Sequence, residues 1–155
     1  MTVKVLFVCL GNICRSPMAE AVFQNMIDDA GLDDEIVVDS AGTGSWHLGE
    51  RAHPGTRNVL SAHGIEYEGR ARRVRPEDVA DQQTYVIAMD SSNLRDLQAS
   101  FGEHPRLYRL LDFAKNARVR DVPDPYYSGN FETVYQLVVD GCQGLLETIK
   151  RQEKL

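Results

Sequence analysis

A length of 155 residues fits one domain and is enough to bury a substantial core without disulfide or metal staples. A 43% hydrophobic and 26% charged composition is that of an ordinary globular protein, not of a disordered or fibrous one. With 17 Lys and Arg against 23 Asp and Glu the net charge is −6, which excludes a nucleic-acid backbone as partner for the surface as a whole. Arginines still cluster at Arg70, Arg72, Arg73 and Arg75 and again at Arg118 and Arg120. Solvated arginines helped by nearby acids explain these clusters better than a docking patch does. Three cysteines, two of them close together at Cys9 and Cys14, do not make the disulfide framework of a secreted protein. The apolar run at Val3–Val8 meets Gly11 and Arg15 too soon for a signal peptide or a membrane span. A reducing cytoplasm is therefore the expected location, with no membrane partner.

Val3–Val8, rich in β-branched and aromatic residues and closed by a glycine loop, predicts a buried strand. Ser16-Pro17 predicts a helix start, with serine as N-cap and proline at the first helical position. Met18, Val22, Met26 and Ile27 keep helical spacing, and Gly31 ends that helix. Ile36–Val38 predicts a second strand, followed by the glycine-rich stretch Ala41–Trp46. Pro54–His63 reads as a helix closed by Gly64, Ala71–Val74 as a loop, and Glu77–Gln82 as a short helix. Tyr85–Met89 is a strand, and Ser91 or Ser92 caps a helix through Leu94, Leu97 and Phe101. Arg106–Leu110 is a weaker strand. After a loop holding Pro123 and Pro125, apolar residues from Phe131 to Ile149 recur at three and four, the clearest helix of the chain. Alternating strands and helices imply an α/β fold: one domain over 1–155 with a mainly parallel, twisted four-stranded sheet and helices on both faces, Rossmann-like. Ligands of such sheets sit beyond the carboxyl ends of the strands, which points to the loops after Val8, Val38 and Met89.

The loop Cys9-Leu10-Gly11-Asn12-Ile13-Cys14-Arg15-Ser16-Pro17 joins a strand to a helix. A short loop running into a helix N-terminus turns several backbone N–H groups inward, and the helix dipole adds positive character. The result is a cradle for a phosphate-sized anion. Gly11 and Asn12 are residue types that tolerate left-handed backbone. Arg15 offers a planar fork that grips two phosphoryl oxygens. The same positive surroundings favour thiolate over thiol at Cys9, and Ser16 is placed to donate to that thiolate while capping the helix. One loop thus carries a nucleophile, an anion cradle made by Leu10 to Cys14, and a charge clamp.

This Cys-x5-Arg-Ser-Pro string at the end of an N-terminal strand, with Gly11-Asn12 and Cys14 inside it, resembles the low-molecular-weight protein tyrosine phosphatase family in its bacterial form. The resemblance covers nearly the whole chain. It implies a metal-free phosphatase acting through a phosphocysteine on Cys9. Asp124-Pro125-Tyr126-Tyr127 resembles the family's acid loop, which makes Asp124 the general acid toward the leaving phenolate and the base toward the hydrolytic water. A bound phosphate dianion beside such an acid favours its protonated form. Ser40-Ala41-Gly42-Thr43 with Trp46-His47 resembles the exit of the second strand and the variable substrate loop, and Met89-Asp90 with Asn93 another family signature. By this likeness Asn12 and Ser40 belong to a hydrogen-bond network behind the loop, Asp90 supports the site, and Trp46, His47, Tyr126 and Tyr127 surround the substrate. Many relatives carry a histidine just before the Lys/Arg-Ala-Arg run where this chain has Gly69, so the network is looser here or completed by another group.

Cys14 is close enough in sequence to bridge Cys9 reversibly and spare it from over-oxidation; the competing reading is a cysteine packed against the core. Cys142 falls on the apolar stripe of the last helix. His47, His53, His63 and His104 show no zinc spacing, so neither metal nor cofactor is expected. Three other activities compete. Arsenate reduction on the same fold needs relay cysteines that the chain lacks between Cys14 and Cys142. Phosphoarginine hydrolysis goes, in the relatives that resemble it, with threonine where Ile13 stands. A non-catalytic phosphotyrosine-binding module needs neither Cys9 nor Asp124. The expected partners are phosphotyrosine proteins. A tyrosine autokinase is one of them by the likeness of His47-Leu48-Gly49 to bacterial relatives. A monomer or weak self-association is the expected state.

Overall fold

Strand β1 (Val3–Cys9) is buried on both faces, which only a strand at the centre of a covered sheet permits. Val5, Phe7 and Cys9 point into one hydrophobic cluster, while Leu6 and Val8 point into another on the opposite side. The computed structural model describes residues 2–155. In it β2 (Ile36–Gly42), β3 (Tyr85–Ala88) and β4 (Leu107–Arg109) join β1 in one sheet of order β2-β1-β3-β4. Every pairing is parallel, so the expected mainly parallel sheet is wholly so.

The helices are α1 (Arg15–Asp29), α2 (Pro54–Ala62), α3 (Ser91–Phe101), the single turn α4 (Pro125–Ser128) and α5 (Phe131–Glu153). Met18, Val22, Phe23 and Ile27 of α1 and Val134, Val138, Leu145 and Ile149 of α5 form the larger core with the β1 face that carries Val5 and Phe7. Leu97 of α3 closes the smaller one with Leu6, Val8 and Val86. The chain leaves β1 toward β2 and returns on the other side as β3. The crevice at the carboxyl ends of β1 and β3 is therefore the topological switch point, where such sheets bind their ligands. Among the described residues no helix is long and apolar enough to cross a membrane.

Four local expectations are corrected. Helix α1 begins at Arg15, with Cys14 as N-cap and no side-chain cap, so Ser16 lies inside its first turn. Pro17 is still tolerated, because the first N–H groups of a helix have no intrahelical acceptor. Helix α3 is capped by Asp90, whose Oδ1 accepts the Asn93 N–H at 2.7 Å, and not by Ser91 or Ser92. The helix expected over Glu77–Gln82 is only a 3-10 turn at Pro76–Asp78. The Asp78 carboxylate is held there by the Arg72 guanidinium at 2.8 and 3.0 Å and by the Arg75 N–H at 2.7 Å. Finally, β2 runs on past Val38 to Gly42, in register with β1 to its end. A Cβ on Gly42 would lie 2.8 Å from the Leu10 carbonyl oxygen and 3.2 Å from Asn12 Cβ, so glycine is what lets the strand pass so close to the loop.

Candidate active site

The loop between β1 and α1 is held from outside by its carbonyls. Those of Cys9 and Leu10 accept the N–H groups of Thr43 and Gly44 at 2.9 and 2.8 Å, and that of Ile13 accepts the His53 N–H at 2.8 Å. The Cys14 carbonyl takes the Thr56 hydroxyl at 3.0 Å. With the carbonyls turned outward, the N–H groups of Leu10, Gly11, Asn12, Ile13 and Cys14 donate to no acceptor among the described residues. Peptide donors left free around a helix N-terminus form an anion cradle. Asn12 supplies the left-handed residue, at φ 57°. Gly11 does not adopt a positive φ; its lack of a side chain instead admits His47, whose Cδ2 would lie 3.0 Å from a Cβ there.

Arg15 is buried and fixed along one edge. Its Nη1 donates to Asp90 Oδ2 at 2.6 Å and to the Val122 carbonyl at 2.9 Å, while Nη2 stands 3.8 Å from Asp124 Oδ2. Burial alone would lower the guanidinium pKa. Cys9, then the hydrogen bond and charge of Asp90, outweigh it and hold the group above its ordinary value. Asp124 caps α4 with Oδ1, which accepts the Tyr126 N–H at 3.0 Å, and this sets the carboxylate over the crevice.

Behind the loop lies a polar chain. Ser16 Oγ is 3.0 Å from Cys9 Sγ and accepts from Asn12 Nδ2 at 2.8 Å. Asn12 Nδ2 also donates to Ser40 Oγ at 3.0 Å, and Asn12 Oδ1 accepts the Arg72 N–H at 3.0 Å. Ser40 donates in turn to Glu20 Oε1 at 2.6 Å, which also receives the Tyr67 hydroxyl at 2.8 Å. Gly69 has no side chain to offer, and Glu20 and Tyr67 complete the network.

Cys9, Leu10, Gly11, Ile13, Cys14 and Arg15 form the floor of a cavity of ≈ 380 Å³ walled by Trp46, His47, Asp124, Tyr126 and Tyr127. Asn12, Ser16, Ser40 and Asp90 stand behind that floor. Trp46 and Tyr127 are 72% and 85% exposed, so they serve as rim and not as core. Tyr126 packs edge-on against Tyr127, with ring centroids 5.0 Å apart, and lies 5.8 Å from His47. Cys14 lines the cavity, but burial, with Cys9 and Asp124 adding, pushes its thiol up to about 12. Cys142 is fully buried in the core, and burial raises its thiol pKa as well.

The family described as low molecular weight phosphotyrosine protein phosphatase matches residues 4–155. The chain belongs to this family. It is 46% identical over 155 residues to the low molecular weight protein-tyrosine-phosphatase YfkJ of Bacillus subtilis, covering 99% of both chains. It is 43% identical over 154 residues to PtpA of Staphylococcus aureus, covering 99% of this chain and 97% of that one. The crystal structure of YfkJ superposes with a TM-score of 0.93 over 98% of this chain and 97% of the other. A Drosophila arginine phosphatase superposes at 0.86 with 33% identity, over 96% and 98% of the two chains.

For this low-molecular-weight phosphatase the sequence left several residues of the site unremarked. His53 gives its N–H to the Ile13 carbonyl, caps α2 through Nδ1, and sits between Tyr126 and Phe131, its ring 4.9 Å from the latter. Its place just before Pro54, at a helix start, was the available signal. Val122 acts through a backbone carbonyl, which no side-chain pattern reveals. Glu20 was legible only as an acid in the largely buried run Met18–Phe23.

Proposed function

We propose that this chain hydrolyses phosphotyrosine in proteins by way of a phosphocysteine on Cys9. The observation that carries this reading is the convergence of the Cys9 thiol, the Arg15 guanidinium and the Asp124 carboxyl on one aromatic-walled cavity whose floor presents free peptide donors. The Cys9 thiolate attacks phosphorus while three phosphoryl oxygens take the loop N–H groups and the fork of Arg15. The bond from phosphorus to the tyrosyl oxygen breaks, and Asp124 gives its proton to that oxygen. Water then attacks the phosphocysteine, Asp124 recovers a proton from it, the S–P bond breaks and inorganic phosphate leaves. Ser16, 3.0 Å from Sγ, donates to the thiolate as it departs. Flat side chains at the rim suit a phenyl ring, and the names of the Bacillus and Staphylococcus relatives support the same substrate class. The substrates are then phosphotyrosine proteins, a tyrosine autokinase among them. Three free cysteines fit a reducing cytoplasm.

The second reading is phosphoarginine hydrolysis, which the likeness to the Drosophila arginine phosphatase supports. Ile13 speaks for tyrosine, since it puts a bulky apolar group on the cavity floor. Arsenate reduction lacks support because the third cysteine, Cys142, is sealed in the core.

The test is turnover of para-nitrophenyl phosphate, a phosphotyrosine peptide and a phosphoarginine peptide without added metal, by wild type, Cys9→Ser and Asp124→Ala. Turnover of the tyrosine substrates, lost with Cys9→Ser and strongly reduced in kcat with Asp124→Ala, is expected. Preference for phosphoarginine would replace tyrosine by the second reading. No turnover of any substrate would leave a binding module.

A further inference from the structure

Asn12 is the junction of the loop. Its Oδ1 is committed to the Arg72 N–H, so both of its amide hydrogens are fixed on serines, Ser16 and Ser40. A hydroxyl that accepts from an amide turns its own proton elsewhere. That of Ser16 turns to Cys9 Sγ and that of Ser40 to Glu20 Oε1. One branch thus ends on the nucleophile, and the other ends on a half-buried carboxylate whose remaining donor is the Tyr67 hydroxyl at 2.8 Å. Tyr67 lies between α2 and β3, outside the loop and outside the cavity lining.

The neighbouring residue shows that this contact has a spatial requirement. A Cβ at position 69 would collide with the Tyr67 hydroxyl and lie 2.5 Å from the ring carbon that bears it. A side chain at 69 and a Tyr67 hydroxyl seated on Glu20 therefore exclude one another. Asn12 is the one non-glycine residue of the loop with positive φ, a conformation that persists only where its surroundings over-determine it.

We propose that Tyr67 is a positioning residue for the reaction: through Glu20 and Ser40 it locks Asn12 and so keeps the Ser16 hydroxyl on Cys9, with Gly69 leaving it the room to do so. The proposal rests on the Cys9 mechanism given above. Without the hydroxyl, Glu20 turns to another donor, the Ser40 proton follows it, and the Asn12 amide loses one of the three bonds that fix it.

The experiment compares wild type, Tyr67→Phe, Gly69→Ala and the double variant. It reads kcat and KM on para-nitrophenyl phosphate, the pH dependence of Cys9 carboxymethylation by iodoacetate, and Tm. The charged and titratable groups that share the cavity with Cys9 are Arg15 of α1, Cys14 of the loop, His47 after β2, Asp124 before α4, and Tyr126 and Tyr127 of α4, and the variants leave all of them unchanged. Tyr67→Phe should lower kcat roughly tenfold, the scale of one hydrogen bond to a charged group, with KM little changed. The midpoint of alkylation should move to higher pH as the thiolate loses its ordered donor. Gly69→Ala displaces the same hydroxyl, so it should reproduce both effects, and the double variant should be no worse than the worse single one. Wild-type kcat and alkylation profile in Tyr67→Phe, with any change confined to Tm, would overturn the proposal, and so would additive losses in the double variant. A wild type inert toward every phosphoester would count against the phosphocysteine mechanism instead, and the alkylation comparison would still decide the role of Tyr67.

Discussion

Replacing Asp90 with asparagine keeps its size and a cap for α3 while removing the charge that faces Arg15. In the native site Asp90 Oδ2 takes Arg15 Nη1 at 2.6 Å and Oδ1 takes the Asn93 N–H at 2.7 Å. The two side chains are only 4% and 19% exposed, so solvent screens the pair weakly. Complete removal of one partner from a buried pair costs ~3–5 kcal/mol. Asparagine has one oxygen where the carboxylate had two. It serves either Arg15 or the cap, while Arg15 keeps the Val122 carbonyl at 2.9 Å. The expected loss is therefore about 2 kcal/mol, within the range for a hydrogen bond to a charged group. At ~2–4 °C per kcal/mol for a chain of this size, Tm should fall by roughly 4–8 °C. Asp90→Ala, which also loses the cap, should fall by about another 1 kcal/mol or more. A guanidinium displaced by 1 Å costs about 10²-fold in rate, so kcat/KM should drop roughly 10-fold for Asn and about 10²-fold for Ala. Thermal melting and para-nitrophenyl phosphate turnover measure both quantities. An Asp90→Asn protein with wild-type kcat/KM would refute the claim that this pair aims Arg15.

Gly42→Ala puts a Cβ 2.8 Å from the Leu10 carbonyl oxygen, so it should cost ~1–3 kcal/mol in urea unfolding and lower kcat as the loop shifts; unchanged stability and turnover would show that the strand has slack there. Burial pushes the Glu20 carboxyl up, against the hydrogen bonds of Ser40 and Tyr67 and the charge of Arg72, with Asp39 pushing the same way as burial. The folded protein then holds this proton where the unfolded chain has lost it, so the carboxyl's contribution to stability falls as pH rises from ~4.3 through the raised folded value. Glu20→Gln retains an oxygen for both hydroxyls and removes that titration. Its stability relative to wild type should rise across the same window, and a difference independent of pH would refute the assignment. With the Cys14 thiol pushed to about 12, iodoacetate near neutral pH should leave one adduct, on Cys9, and none in Cys9→Ser; an adduct on Cys14 would contradict its burial. Mild peroxide should take Cys9 to the sulfenic acid, from which Cys14 sulfur displaces water to form a disulfide. Mass spectrometry showing mainly Cys9 sulfonate would reject that protection.

What the sequence disclosed of this site is what lies contiguously along it. Cys9, the loop, Arg15 and the start of α1 follow one another, so a strand–loop–helix reading already places the proposed nucleophile, cradle and clamp together. The sheet was equally plain, because Val3–Val8 is apolar at every position but Lys4, and Tyr85–Met89 is an unbroken apolar run. Of the two roles expected for Ser16, the contact with Cys9 is present and the helix cap is not, for a definite reason. Capping rules assume that a hydroxyl at a helix start serves the helix, and here it serves the thiol, which leaves the first-turn N–H groups free for an anion. The groups that arrive from elsewhere in the fold, the Val122 carbonyl and the Arg72 N–H, are backbone atoms and have no signature in residue type.

Gly69 joins the two cases. The missing side chain was visible, but its replacement was not, because the hydroxyl comes from two residues upstream. In extended chain, residues i and i+2 point to the same side, and the segment Ile65–Gly69 contains neither helix nor turn. A long side chain at 67 can therefore fill the space that a side chain at 69 would take, and the collision of a Gly69 Cβ with the Tyr67 ring is direct evidence that it does. What the network requires is a donor at one point beside Glu20, not a residue type at one position. A substitution at 69 is thus interpretable only together with the residue at 67, and either one taken alone misstates how firmly Asn12 is held.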